Sequence, residues 1–378
     1  MPATRVLKAD RPRHRTARRT SAAGLLALGC ALQGCGEGGP GASARAASDA
    51  PVLVPVDSVV LAESDSAYIA TVSSLAVAPD GSFLVSDYQG KRLFVFGRDG
   101  RLVRSFGRSG RGPGELEQPT ALALDGDSLL YVADIGAIEA FDPRTAAHRG
   151  AFPMPRMPLT LAVSSGRLFA GHADQADRGS VVWVDGDTAR MKATGPFPEI
   201  LKDTVIFSMA HAVALGMRGD TAATAFFVTD YVYLSDVSGR VLDSIRVPPQ
   251  RRNGTHPGRL RALSRNPNQE TGEAAFWGTS LPRALHWMPD GRIVLVSTDQ
   301  GMVEGRWIDS SFVSVVDRRT RRSCVDARVP GPTEPSPGLA LRGDTLFVVA
   351  QEVGEGTRAS TVVRWYRIDT GGCRWVGE

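Results

Sequence analysis

Cysteine is scarce in this chain, four in 378 residues with no CxxC pair, which excludes paired-cysteine metal fingers and thioredoxin-type redox motifs. No apolar run after residue 34 is long enough to cross a bilayer as a helix. There is no GxSxG elbow, HExxH pair or Walker loop, so the common signatures of serine hydrolases, zinc proteases and nucleotide-binding enzymes are missing. Lysine is nearly absent as well, four of the 44 basic residues, so a group of arginines is ordinary usage here and weak evidence of an anion site. What remains is a chain that is 42% hydrophobic and 22% charged, with 41 Gly and 24 Pro. That composition belongs to a folded protein with a large core, neither disordered nor collagen-like.

The basic pI of about 9.0 is a property of one end. Residues 1–34 hold seven Lys/Arg against Asp10, a net of +6, so the total of +4 leaves about −2 for residues 35–378. Bulk charge therefore gives no reason to expect a nucleic-acid partner. Arg11 to Arg19 form a basic stretch, and Ala22–Gly34 is an apolar segment of 13 residues, the layout of an export signal. It closes on Leu32-Gln33-Gly34-Cys35, which resembles the lipobox of bacterial lipoproteins. That resemblance implies a diacylglycerol on Cys35 and removal of residues 1–34. Gly rather than Asp at position 36 implies sorting to the outer membrane, with the domain facing the periplasm or the exterior. Residues 35–51 are small and polar and read as a flexible tether, and residues 52–378 as one domain.

That domain repeats. An apolar strand, a glycine turn and a second apolar strand recur six times: at 75–87, 122–134, 161–172, 213–230, 286–297 and 339–351. The turns carry Gly81, Gly126, Gly166, Gly219, Gly291 and Gly343, positions where positive φ is expected. Each copy runs on into a third strand (RLFVF, AIEAF, VVWVD, YVYLS, FVSVV, VRWYRI) and a fourth. Strands such as Phe83-Leu84-Val85 are apolar on consecutive residues, as expected where a sheet is covered on both faces. Four antiparallel strands repeated six times predict an all-β, six-bladed β-propeller. The apolar segment 52–62 is expected to close the ring against the last blade, because an open ring leaves two unpaired edges.

From Ser58-Val59-Val60-Leu61-Ala62-Glu63-Ser64, through Phe94-Val95-Phe96, to the GxGPGE stretch Gly110-Arg111-Gly112-Pro113-Gly114-Glu115, the chain resembles the NHL-related six-bladed propeller lipoproteins of bacteria. The likeness is densest over 58–142. It implies the fold more than an activity, since most members of that group have none assigned.

Long segments at 107–119, 196–210, 248–282, 299–310 and 351–360 all fall in second-to-third loops or blade-to-blade connections, which share one face of a propeller. That face is the candidate binding face. Arg108, Arg111, Gly112, Gly114, Glu115, Arg251 and Arg252 lie in its loops, and their guanidinium groups could form a rim for carboxylate, phosphate or acidic glycan. Pro257 at a first turn and Pro267 beyond an end mark a short helix between them. His172, His211 and His286 faintly resemble the zinc-holding triad of peptidyl-hydroxyglycine lyase propellers. Asp87, Asp134, Asp230 and Asp299 recur at or near the ends of second strands. Calcium-dependent lactonase propellers place acids near the channel, but a residue copied blade by blade suits a repeated backbone duty better. The two remaining cysteines, Cys324 and Cys373, each follow a turn at matching places in successive repeats. Matching places in neighbouring blades exceed the ~4.4–6.8 Å Cα spacing of a disulfide, so free thiols are favoured over a bridge.

The preferred reading is a binding or scaffolding module for a protein, peptide or glycan, touching the membrane only through its lipid and needing no cofactor. A calcium- or zinc-dependent propeller enzyme of lactonase, hydrolase or lyase type is the alternative.

Overall fold

A computed structural model of the chain describes residues 50–377, apart from 65–66, 155–156, 185–190, 267–277, 304–305, 331–337 and 354–358. It contains six four-stranded antiparallel sheets. Blades one to five occupy Val72–Phe106, Ala121–Pro153, Thr160–Thr194, Val213–Arg246 and Ser280–Arg328. Blade six takes its inner three strands from Gly338–Asp369 and its outer strand from Val52–Val60. The ring is thus closed by the N-terminal strand, which pairs antiparallel with Ala359–Asp369 from Val52 opposite Asp369 to Val60 opposite Val362.

The predicted turn glycines sit at the first-to-second strand turns with φ between 55° and 91°, where a Cβ would be strained. Burial follows position in the blade. The second strand of blade one, Phe83–Asp87, is buried at every residue, whereas its outer strand, Leu102–Phe106, alternates. Inner strands are covered on both sides by neighbouring blades, and outer strands on one side only, which is why consecutive apolar residues marked the inner ones. Phe83, Phe94 and Phe96 of blade one pack with Val349 and Val363 of blade six in one such junction. Each of these side chains contributes roughly 1.5–3 kcal/mol by burial.

The two cysteines correct the expectation from repeat position. Cys324 and Cys373 form a disulfide with their Cα atoms 5.9 Å apart. The expectation failed because Cys373 does not occupy a fourth strand: Val52–Val60 has taken that place in blade six. The displaced C-terminal tail turns back onto the outer strand of blade five, where Ser323 and Val376 exchange backbone hydrogen bonds of 2.8 and 2.9 Å. The bridge pins this tail across a sequence separation of 49. Replacing both cysteines by serine should lower stability by about 2–4 kcal/mol, seen as a lower urea midpoint. An unchanged midpoint would show that Ser323–Val376 pairing and the packing of Trp375 hold the tail without the bridge.

Candidate functional site

The long segments emerge together on the face where innermost strands begin. In blade five the second and third strands run Ile293–Val303 and Arg306–Asp317, against five residues each in blade one. The extra residues, at ~3.3 Å each, carry a paired ribbon well beyond the body of the ring. Blade six has a similar ribbon, Thr345–Val353 with Ala359–Asp369. Between blades three and four lies helix α1, Thr204–Ala210, and between blades four and five helix α2, Pro257–Arg265.

These two helices have a core of their own. Ile206 and Phe207 of α1 and Leu260 and Leu263 of α2 cluster with Phe226, Phe227 and Val228 beneath them. Asp203 caps α1 by accepting from the Val205 and Ile206 amides at 3.0 and 3.1 Å, and its other carboxylate oxygen accepts from Ser264 of α2. These hydrogen bonds, led by the one from Ser264, hold the Asp203 carboxyl below its ordinary pKa. Pro257 opens α2 as its sequence predicted, since the first turn has no need of an N–H there.

Arg252 is not a rim residue. It is 7% exposed, and its guanidinium reaches Asp230 at 2.8 Å, Asp326 at 3.1 Å and the Val247 carbonyl. Asp326 also accepts from the backbone amides of Gln250, Arg251 and Arg252. It stands at an irregularity of the outer strand of blade five, with φ of 63°, which turns its carboxylate toward this connection. Arg252 therefore fastens the connection to blades four and five, and a ligand anion would have to displace two carboxylates. Arg251 is exposed on the same segment.

The GxGPGE stretch also serves the loop that contains it. Glu115 accepts from the Gly112 amide at 2.8 Å and from Arg108 at 2.9 Å, and the amide above all holds its carboxyl below the usual range. Arg111 pairs with Glu117 at 2.7 Å. Gly114 has φ of 77°, and a Cβ there would lie 3.4 Å from the His148 side chain. Leu116, fully buried, plugs the junction of blades one and two. The loop is a clasp with two exposed arginines, Arg108 and Arg111. It sits between blades one and two, and Arg251 between blades four and five, on opposite sides of the ring, so no single arginine rim forms.

The recurring aspartates all hold backbone amides, but only Asp87 and Asp134 share the repeated duty anticipated for them. Asp87 accepts from the Ala70 and Thr71 amides at 2.8 and 2.9 Å, Asp134 from those of Glu117 and Gln118, Asp230 from Thr255 and Asp299 from Asn253 at 2.8 Å. Asp87 and Asp134 fix the chain entering the innermost strand of their own blade, whereas Asp230 and Asp299 fasten the connection just ahead of α2, so all four positions are spent on architecture. The histidines do not gather either. The rings of His172 and His211 are 6.3 Å apart, but His286 lies one residue from the far end of its strand, Ser280–Trp287. The repeat pattern had started that strand too late. Among the described residues no three His, Cys, Asp or Glu side chains are placed to hold a metal.

Two stacked cavities follow the axis. The deeper one, about 340 Å³, is lined by all six innermost strands and includes His286, whose burial pushes its pKa below the usual histidine value, so the ring is neutral at pH 7. The upper one, about 310 Å³, opens on the long-loop face among Thr71, Tyr88, Leu159, Thr160, Arg283 and Leu339. Arg283 lines both. Burial lowers its pKa and Asp309 opposes the shift; a guanidinium keeps its charge in proteins. No motif pointed to Arg283; the signal available in the sequence was an arginine just before the first strand of a repeat where other copies have small or apolar residues.

Comparison with known proteins agrees with this architecture. Residues 52–143 match a family model described as a six-bladed beta-propeller, over the same stretch where the sequence resemblance is densest. A solved structure from Bacteroides fragilis, named as a candidate exported protein, is 12% identical with a TM-score of 0.57, covering 86% of this chain and 97% of its own. A member of a second uncharacterised family from Bacteroides vulgatus is 9% identical, with a TM-score of 0.55, covering 85% and 99%. At such identities the likeness bears on the fold alone. No curated protein matches the sequence. The chain is a six-bladed β-propeller.

Proposed function

We propose that this protein is an exported propeller, lipidated at Cys35 and held at the outer membrane, that works without a cofactor as a binding or scaffolding module for a protein, peptide or glycan. The observation carrying this reading is the asymmetry of the ring. Among the described residues every helix and long ribbon stands on one face, while the opposite face carries short turns such as that at Asp127 and the disulfide-pinned C-terminal tail. Elaboration confined to one end of a constant scaffold is how propellers present a recognition surface. Export is supported by the Cys324–Cys373 disulfide, which persists in oxidising compartments, and by the name of the Bacteroides fragilis propeller. Cys35 lies outside the described residues, so the anchor rests on its lipobox.

A photo-crosslinking residue placed at exposed Arg251 should capture a partner in cells, and the same residue at Asp127 should not. Capture from Asp127 alone would put binding on the wrong face. Radiolabelled palmitate should label the protein and spare Cys35→Ala; equal labelling of both would end the anchor assignment.

A further inference from the structure

The first strand of blade five contains a bulge. Pro282 pairs with Ser297 and Ala284 with Val296, which leaves Arg283 as the extra residue. Blade one has the same bulge, with Val72 opposite Asp87, Ser74 opposite Ser86, and Ser73 between them. Thr120 takes this place in blade two, just ahead of the Ala121–Ala133 pair. Ser73 donates to the Pro119 carbonyl at 2.6 Å, and the Thr120 hydroxyl lies 3.4 Å from the Pro158 carbonyl. In both blades a small hydroxyl stitches one blade to the entry of the next. Blade five puts an arginine where blades one and two use that stitch and blades three and four have Leu159 and Ala212, on a bulge at the channel mouth, a feature that re-aims side chains at functional sites. A residue kept for repeated architecture resembles its copies; a residue serving one axial ligand departs from them.

The surroundings define what such a ligand must be. Among the described residues lining the upper cavity, Arg283 is the one charged side chain and there is no carboxylate. Asp309 stands 3.9 Å from its guanidinium and is 2% exposed, so it orients Arg283 and offsets part of its charge. Lys91, 5.9 Å from the Tyr88 ring centroid, donates to the Glu117 carbonyl. The rest of the lining is hydroxyl and apolar, and Tyr88 and Leu159 are left 36% and 43% exposed at the mouth. A dianion would be poorly compensated in so weakly polar a site. At about 310 Å³ the cavity matches the lower end of small-molecule sites, ~300–1,000 Å³.

We infer that the channel mouth binds a small organic monocarboxylate, with the Arg283 fork on the carboxylate and Tyr88 and Leu159 covering an apolar body. A planar guanidinium suits a carboxylate because two parallel N–H groups can meet its two oxygens. This inference rests on the long-loop face being the binding face, and it adds a small-molecule subsite at the centre of that face.

The test is calorimetric titration of the full chain in detergent with 3-phenylpropionate, 3-phenylpropionamide, acetate and inorganic phosphate. 3-Phenylpropionate should bind, with the amide and phosphate weaker by at least about tenfold, a difference of ~1.4 kcal/mol. Arg283→Gln should lose binding to a similar degree, and Tyr88→Ala should weaken 3-phenylpropionate while leaving acetate unchanged. Because Arg283→Gln changes the surroundings of Asp309, the double variant Arg283→Gln/Asp309→Asn is included; it should melt near the wild type and still fail to bind. Binding of the amide equal to that of the acid, undiminished binding by Arg283→Gln, or no carboxylate binding by the wild type would each overturn the inference. Those results leave partner capture at Arg251 free to succeed, so this proposal and the binding-face reading fail separately.

Discussion

Replacing Arg252 by alanine should destabilise the propeller by about 3–5 kcal/mol, the range for removing one partner of a buried ion pair. Its side chain is 4% exposed and sits between Asp230, 13% exposed, and Asp326, 0% exposed. Without it both carboxylates stay where the fold puts them, because each also receives backbone amides, Thr255 on Asp230 and residues 250–252 on Asp326. The buried charge is then uncompensated. The deficit should appear as a lower urea midpoint for the variant at pH 7. A deficit below about 1 kcal/mol, typical of surface pairs, would mean that the network is solvated and that Arg252 is available to ligands after all.

Removing the closing strand, residues 52–60, should have a still larger effect. That strand contributes no buried side chain; all of Val52–Val60 is intermediate or exposed. Its contribution is the row of backbone pairs with Ala359–Asp369, together with cover for Val363, Trp365 and Phe347 at the junction of blades six and one. Gly100 of blade one is also fitted to it, for a Cβ there would come within 2.3 Å of the Val60 carbonyl oxygen. With the strand gone, the long third strand of blade six becomes a free edge, which is a template for pairing with another chain. The truncated chain should lose its single cooperative unfolding transition and elute as aggregates in gel filtration, and a synthetic peptide of residues 50–62 added during refolding should restore the monomer. A truncated chain that stays monomeric and melts cooperatively would show that five complete blades and a three-stranded sixth suffice.

The fold was legible because propeller blades repeat the same local chemistry. Turn glycines at 81, 126, 166, 219, 291 and 343 mark one backbone need recurring in every copy, and runs such as Phe83-Leu84-Val85 mark strands covered on both faces. Repetition turns a weak local signal into a strong one. The asymmetry of the two faces was readable for the same reason, since segment lengths between strands are counted along the chain.

What escaped that reading depends on which strand completes which blade and where a side chain ends up. Cys373 occupies a repeat-like position in sequence, but Val52–Val60 has taken the fourth place in blade six, and so the tail crosses to Cys324. Arg251 and Arg252 are adjacent in sequence, yet one faces solvent and the other lies between two carboxylates, because Asp230 and Asp326 come from different blades. His286 is displaced from the long-loop face by a strand that begins at Ser280, hidden from pattern reading by Pro282 and the bulge at Arg283. Periodicity reports contacts that recur at short range. The disulfide and the buried arginine are made by residues 22 to 74 positions apart in the chain and the channel mouth by residues from Thr71 to Leu339, and only closing the ring brings them together.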